Sequence, residues 1–264
     1  MPVFSTPEPV TAHVDIPAGQ IRISASDRDD THVEVRPADP GSPTDIEYAQ
    51  DVVVEHADGV ITVKAPDRQR FRRAPALHVS IALPSRSDLR ATTASADVIA
   101  TGELREVAVD CASGDVTVAH AVELGVKSAS GDVRCDVIES DAIVDATSGN
   151  VRLGTVGGGI SVVTASGDTV IGHAGGGVGS RSASGDLVVE SVARGRVGAE
   201  SASGDIRIAI AEGSAAWLEV SSLSGRVRSE LRQSEQPAES VDKVEVRART
   251  LSGDIAIVRA TGSR

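Results

Sequence analysis

The sequence contains very few aromatic residues, with one Trp, one Tyr and two Phe among 264 residues. This scarcity excludes the aromatic platforms on which sugars or single-stranded nucleic acids stack. Two cysteines are too few for a disulfide framework, and the sequence has no run of about 18 apolar residues that would cross a membrane as a helix. We therefore expect a protein without membrane insertion, whose core is built from aliphatic side chains.

Basic residues are also in the minority, with 26 Lys and Arg against 38 Asp and Glu and a formal net charge of -12. This acidic balance argues against a dedicated nucleic-acid binder. The first residues, MPVFSTPE, contain neither a positive region nor an apolar stretch, so we expect no secretory signal and a cytoplasmic location.

What the sequence does contain is a hexapeptide, Ser-Ala-Ser-Gly-Asp-Val or a close variant, that recurs nine times. The copies are residues 93–98, 111–116, 128–133, 146–151, 164–169, 182–187, 201–206, 222–227 and 250–255. Their aspartate positions lie 18, 17, 18, 18, 18, 19, 21 and 28 residues apart. A near-constant period of this kind is typical of repeat architectures, in which each copy is one structural unit.

Apolar and polar residues alternate on both sides of each hexapeptide. The residue after the aspartate position is Val, Ile, Leu or Thr in every copy. Alternation with a period of two predicts two short strands per repeat, each with one inward face. Ser-Gly-Asp forms a tight corner between the strands, and glycine runs such as 157–159 and 175–177 form a second corner. The pattern predicts an all-β, single-domain parallel β-solenoid, or β-helix, with a right-handed coil and rungs of about 18 residues.

The two ends of the chain depart from the regular repeat. We predict that residues 91–264 form the solenoid and that residues 1–90 form an irregular all-β cap continuous with it, because an open first rung would expose an unpaired strand edge. His13–Ile23 fits the rung pattern, with Gln20 in the aspartate place. Further strands are expected at His32–Val35, Val52–Glu55, Val60–Val63 and Leu77–Leu83, with a hairpin turn at Ala57–Gly59.

A polar insertion, residues 229–243, precedes the last copy of the repeat, and the chain ends soon after Ile257. We expect the last copy to be a terminal rung with little cover of its own. A protein partner or a second copy of the chain would cover it, and the alternative is cover by residues 229–243.

These rungs resemble the bacterial β-strand-repeat proteins often labelled "putative adhesin", a domain family of unknown function. The resemblance covers nearly the whole chain, from Thr6–Ile23 at its start to Ala215–Val220 and Val244–Ile255 at its end. It implies a right-handed β-helix-like architecture with no established enzymatic activity. It supplies no catalytic residues and no cofactor.

The aspartates of the repeat are the leading candidates for a binding site. Equivalent residues of successive rungs stack in a solenoid, which predicts two triplets on either side of Asn150: Asp97, Asp115 and Asp132, and Asp168, Asp186 and Asp205. Like charges about 4.8 Å apart repel by about 1 kcal/mol even in water, and a bound Ca²⁺ would relieve that repulsion. The alternative is a structural role in the corner, which is favoured because Asn150 and Arg226 occupy the same column.

A basic cluster interrupts the acidic sequence between residues 68 and 73. Its candidate contact residues for an acidic partner are Arg68, Arg70, Phe71, Arg72 and Arg73. The alternative is a solvated loop, or a loop that docks on the acidic face of its own chain.

The remaining patterns favour structural roles. The glycine runs lack the Lys-Ser/Thr that follows a phosphate-binding loop. His120 and His173 stand three rungs apart, about 14 Å, which is too far to hold one metal ion. Cys111 and Cys135 lie in inward columns and are expected to be buried thiols. No histidine stands in register with the serine column to activate a nucleophile, so we expect no enzyme, and a polysaccharide-modifying β-helix is the least favoured reading.

Together these patterns predict a non-catalytic interaction scaffold without a cofactor. Its expected partner is another protein or a second copy of the chain, which it would bind through its terminal rungs as a homo-oligomer. The alternative function is a Ca²⁺- or ligand-binding module that uses the stacked aspartates.

Overall fold

The computed structural model describes residues 2–66, 75–231 and 242–260. In these ranges the chain forms 21 strands and one helix, so the predicted all-β solenoid class is confirmed. The chain divides into two compact units, Met1–Cys135 and Asp136–Arg264.

The first unit is built around long parallel strands. Its strands are β1 (Val3–Ser5), β2 (Thr11–Ser26), β3 (Asp30–Pro37), β4 (Val53–Ala57), β5 (Val60–Lys64), β6 (Leu77–Pro84), β7 (Ser87–Ser113) and β8 (Val116–Ser130), and β9 (Val133–Ile138) crosses the unit boundary. β2 pairs in parallel with β7, and β7 with β8. Gln20 lies beside Asp97 and Ile21 beside Val98, which confirms the predicted extra rung at residues 13–23.

Further strands cover the outer edge of β2. β5 pairs in parallel with the first half of β2 and β6 with the second half. β4 then pairs antiparallel with β5, β3 with β6, and β1 with β3. The predicted hairpin is confirmed, and its turn residues Asp58 and Gly59 have φ angles of 51° and 75°, as a type I′ turn requires. The inward side chains of β2, such as Ile16 and Ile21, are fully buried as a result.

The expectation that the N-terminal part is entirely β is wrong at one segment, because α1 (Pro43–Gln50) is a helix. The hydroxyl of Ser42 accepts a hydrogen bond from the amide of Asp45 at 3.3 Å, and Pro43 is the first helical residue, a combination that favours helix initiation. Tyr48 anchors the helix, since its ring is fully buried and its hydroxyl donates to the Pro66 carbonyl at 3.1 Å. No helix in the described ranges is long and apolar enough to cross a membrane.

The second unit consists of rungs with two short strands each. Its strands are β10 (Ala142–Ser148), β11 (Val151–Val156), β12 (Ile160–Ser166), β13 (Thr169–Ala174), β14 (Val178–Ser184), β15 (Leu187–Val192), β16 (Gly195–Ser203), β17 (Ile206–Ile210), β18 (Ala215–Ser224), β19 (Val227–Ser229), β20 (Lys243–Ser252) and β21 (Ile255–Arg259). The first strands of successive rungs pair in parallel, and so do the second strands. Inward columns of small aliphatic residues such as Val144, Val162 and Ala199 fill the core.

The corner between the two strands of a rung depends on glycine, as the repeat predicts. At Gly167, φ is +121°, and a Cβ atom would lie 2.1 Å from the carbonyl oxygen of Gly149 in the preceding rung. Any residue with a side chain would be strained by the first condition and would clash under the second. The stacked glycines therefore hold successive corners close together.

The last two rungs do not stack in chain order. β20 pairs in parallel with β16 on one edge and with β18 on the other. β21 likewise lies between β17 and β19. The expectation that the last copy of the repeat forms the terminal rung is therefore wrong, because β18 and β19 form it. The inserted position suits β20 and β21, whose inward residues Val246, Ala248 and Ile257 are fully buried there.

Candidate functional site

The terminal rung, β18 with β19, is the most exposed rung of the second unit. Among the described strands, β18 pairs only with β20 and β19 only with β21. The outer edge of this rung therefore presents backbone N–H and C=O groups to which another strand can pair. The inward side chains of this rung are also partly exposed. Val227 is 44% exposed, whereas Ile255, which lies beside it in the same column, is fully buried.

Large apolar side chains gather on this rung. Trp217 is 55% exposed and Leu223 is 82% exposed, and Leu218 is half-buried. We call Trp217, Leu218, Leu223 and Val227 the end surface. Trp217 and Leu223 stand six residues apart on the outward face of β18, whereas Leu218 and Val227 stand in inward columns beside buried Val246 and Ile255. Exposed apolar groups that border an unpaired strand edge are candidates for an interaction site.

A groove of about 1310 Å³ opens beside Trp217. Leu218 and Leu231 contribute apolar walls, and Lys243 and Arg247 contribute positive charge. The guanidinium carbon of Arg247 lies 5.9 Å from the centre of the Trp217 ring, within range of a cation–π interaction. The groove thus combines an apolar wall with a positive rim on a chain whose net charge is negative.

Ion pairs fix the register of β20 next to the end surface. Arg196 of β16 lies 3.2 Å from Glu245 of β20. On the other side, Arg247 and Arg249 of β20 lie 3.3 and 2.8 Å from Glu219 of β18. Exposed pairs of this kind contribute less than about 1 kcal/mol each, so their main effect is to select one register for the inserted strand.

The structure brings the predicted aspartates of the first unit into one column. The backbone amide of Asp115 donates to the carboxylate of Asp97 at 3.1 Å, and the amide of Asp132 donates to the carboxylate of Asp115 at 2.9 Å. Each carboxylate therefore satisfies the corner amide of the next rung. The hydrogen bonds link neighbouring rungs, whereas the sequence pattern suggested only bonds within one corner.

The same ladder runs through the second unit. The amides of Asp168, Asp186, Asp205 and Asp254 donate to the side-chain oxygens of Asn150, Asp168, Asp186 and Asp205 at 3.1, 2.9, 2.8 and 2.7 Å, respectively. An amide oxygen serves as well as a carboxylate, which explains why Asn150 occurs in this column. The column therefore has a structural role in every rung where these bonds form.

The ladder ends at Arg226 on the terminal rung. Its amide donates to the carboxylate of Asp254 at 2.8 Å. The guanidinium has no acceptor atom, so Arg226 cannot receive the amide of a further rung. The residue that breaks the sequence pattern thus stands at the position where no following rung is found among the described residues.

The other sequence candidates are distributed as follows. Within residues 2–66, 75–231 and 242–260, no group of three or more His, Cys, Asp or Glu side chains is arranged to hold a metal ion, and cation binding by the aspartates stays a prediction. Cys111 and Cys135 are buried and form no disulfide, and burial raises the pKa of the Cys111 thiol. The basic cluster of Arg68, Arg70, Phe71, Arg72 and Arg73 lies outside the described residues.

An ion pair with a buried carboxylate, Asp88 with Arg105, was not predicted in the first unit. The carboxylate of Asp88 accepts hydrogen bonds from the Arg105 guanidinium (2.8 Å from Nε), the Glu106 amide (3.1 Å) and the Thr11 hydroxyl (3.4 Å). Burial disfavours the charged carboxylate, but these hydrogen bonds outweigh it and lower the pKa of Asp88. The bonds from Arg105 and Glu106 lie within the long strand β7, and the Thr11 hydroxyl links the cluster to β2. Asp88 stands nine residues before Asp97, the register of Glu106 and Glu123 in the next copies, so the repeat does not distinguish it as a buried carboxylate.

Parallel rungs, glycine corners and a side-chain-to-amide ladder define a β-solenoid domain built from short strand repeats. Within that class, the chain belongs to the Toastrack DUF4097 family, whose model matches residues 13–258. This match confirms the resemblance to the "putative adhesin" family of unknown function.

Solved structures with low sequence identity are similar to nearly the whole chain. One is a "putative adhesin" from Bacteroides fragilis NCTC 9343, with 14% identity, coverage of 97% of this chain and 95% of that chain, and a TM-score of 0.43. Another is a "putative lipid binding protein" from Parabacteroides distasonis ATCC 8503, with 10% identity, coverage of 98% and 96%, and a TM-score of 0.45. No curated protein matches the chain significantly.

Proposed function

We propose that this chain is a non-catalytic interaction module that associates with a second copy of itself through the terminal rung. The observation that carries the proposal is the end surface, where Trp217, Leu223 and Val227 are exposed on strands whose outer edges have no strand partner among the described residues. A strand from another chain can satisfy such an edge and cover the apolar groups in one step.

Two substitutions of the same chemistry test the proposal. Val227→Glu places a carboxylate on the end surface, and Val163→Glu places one on the outward face of an inner rung, where Val163 is 41% exposed, close to the 44% of Val227. The molar mass of each protein is measured by light scattering over a range of concentrations, at an ionic strength that screens the net charge. We expect the mass of the wild type and of V163E to rise with concentration and that of V227E to stay monomeric.

A monomeric mass for all three proteins at every concentration would overturn self-association. A rise that V227E leaves unchanged would overturn the assignment to the end surface. In that case the association would belong to another part of the chain.

The aspartate columns support a second candidate function, the binding of a cation such as Ca²⁺. In this ladder the bonded amide engages one side-chain oxygen of each aspartate, which leaves the other carboxylate oxygen of each rung as a candidate ligand for a hard cation. If the columns bind Ca²⁺, the unfolding temperature rises in Ca²⁺ relative to a chelator. An unchanged unfolding temperature would remove this candidate.

A further inference from the structure

We call the space between the rung of β16 and β17 and the rung of β18 and β19 the slot; it is filled by β20 and β21, which come later in the chain than both rungs. The chain passes from β16 and β17 to β18 and β19, which lie on the far side of the slot. β20 and β21, the segment that comes later in the chain, fill the slot. Without this last segment, the slot would be bordered by two unpaired strand edges on each face.

The inserted segment holds the terminal rung in place. Every strand pairing of β18 and β19 within the described residues is made with β20 or β21. The inward side chains of the inserted strands are almost completely buried: Val244, Val246, Ala248, Ile255 and Ile257. An unfilled slot would therefore expose a continuous apolar surface as well as unpaired backbone groups, and it would bind a matching segment strongly.

The polar groups bordering the slot are specific for this segment. On one side Arg196 pairs with Glu245, and on the other Glu219 pairs with Arg247. The corner ladder adds the bond from the Asp254 amide to the carboxylate of Asp205 at 2.7 Å. A second copy of the chain carries the same strands with the same charges in the same order, so it is the partner that fits the slot.

We infer that the slot accepts β20 and β21 from a second copy of the chain, so that two molecules exchange their C-terminal rungs. The 13 residues 230–242 are long enough to span about 45 Å if fully extended, a length that reaches a neighbouring molecule. Exchange fills each slot with the same residues as before, so its extent is governed by protein concentration. The inference concerns the slot and not the end surface, so it stands or falls separately from the proposed function.

Two variants of the full chain, Arg196→Cys and Glu245→Cys, test the exchange; both also carry Cys111→Ala and Cys135→Ala, so that each has a single cysteine. Residues 196 and 245 are neighbours across β16 and β20, a spacing that a disulfide can bridge. The variants are unfolded together, refolded at high protein concentration and oxidised, and the disulfides are mapped by mass spectrometry. We expect a 196–245 disulfide that joins two chains, in a species of twice the 27.0 kDa chain mass.

Two controls show whether the variants fold and whether the disulfide is specific for the native register. The double variant R196C/E245C is expected to form the same disulfide within one chain, which reports that the variants fold in the native register. A mixture of R196C with Arg249→Cys is the off-register control, because Arg249 lies beside Glu200. Exchange is overturned if the double variant forms its internal disulfide while the R196C and E245C mixture forms none between chains. It is also overturned if the off-register mixture gives an equal yield.

The same disulfide separates this inference from the proposed function. Adding V227E to both single-cysteine variants leaves the interchain 196–245 disulfide in place if the slot is exchanged, because residues 196 and 245 pair across β16 and β20, whereas Val227 pairs with β21 on the other strand of the rung. Association that V227E abolishes, without any interchain 196–245 disulfide, would leave the proposed function standing and overturn the exchange.

Discussion

The first rung of the first unit and the last rung of the second unit are built on the same column pattern but are finished differently. On β2, Ile21 follows the corner, lies beside Val79 of β6 and is fully buried. On the terminal rung, Val227 follows the corner and is 44% exposed. β5 and β6 pair with the outer edge of β2, and β1, β3 and β4 extend that sheet. No described strand pairs with the outer edges of β18 and β19. This difference is why we assign binding to the second end.

The largest expected effect compares the same column at the two rungs. Ile21→Ala is expected to lower the free energy of unfolding by about 2–5 kcal/mol, because it leaves a cavity in a covered core. Val227→Ala is expected to lower it by less than about 1 kcal/mol, because much of that side chain is already in water. Urea unfolding of both variants measures the difference. Equal losses would contradict the contrast between a covered rung and an open one.

The next prediction concerns the buried carboxylate of Asp88 and its ion pair with Arg105 on β7. Asp88→Asn is expected to destabilise the chain by about 2 kcal/mol at pH 7, because the charged hydrogen bonds to Arg105 are lost. The folded-state pKa of Asp88 is lowered, so its stabilisation is present above the ordinary value of 3.8 and is lost as the pH falls from there through the folded-state pKa. The gap between wild type and D88N in urea unfolding should therefore narrow below that value.

The exposed ion pairs of Glu219 provide the control for the size of the D88N effect at pH 7. Glu219→Gln removes a carboxylate that pairs with Arg247 and Arg249 at the surface. Its cost at pH 7 is expected to stay below about 1 kcal/mol. A cost equal to that of D88N would contradict the expectation that the buried carboxylate of Asp88 contributes more stability than the exposed carboxylate of Glu219.

The last prediction concerns the corner ladder. Asp205→Ala removes the acceptor of the Asp254 amide and is expected to cost about 1 kcal/mol, whereas Asp205→Asn keeps an acceptor, as Asn150 does naturally, and should cost little. Arg226→Ala is expected to leave stability unchanged, because the side chain of Arg226 accepts no amide. Thermal unfolding of the three variants measures this order, and a loss in R226A as large as in D205A would contradict it.

The rungs and corners were predictable because the repeat occurs nine times. Each copy shows the same alternation of apolar and polar positions, which identifies the inward and outward faces of its strands. The order of the last rungs was not predictable from the columns, since the copies 222–227 and 250–255 have equivalent inward residues. Only Arg226 distinguished them, and its meaning depends on bonds between rungs that the sequence pattern does not reveal. α1 was missed because its eight residues are too short to show a helical period.

The end surface was predicted as an open terminal rung but was expected on the wrong copy of the repeat. Trp217 faces outward beside Glu245 of β20, and its place on the terminal rung depends on the insertion of β20. The Asp88 cluster joins residues that are 17 and 77 positions apart in sequence. Both features arise from long-range packing, which a periodic pattern does not encode.

The most direct test of the central claim is hydrogen–deuterium exchange of the backbone amides at low and high protein concentration. If the terminal rung is the binding surface, the amides of β18 and β19 exchange more slowly at high concentration, while those of β2, which is already covered, exchange at the same rate. Equal exchange of β18 and β19 at both concentrations, in a sample whose mass has risen, would contradict the assignment of binding to this rung.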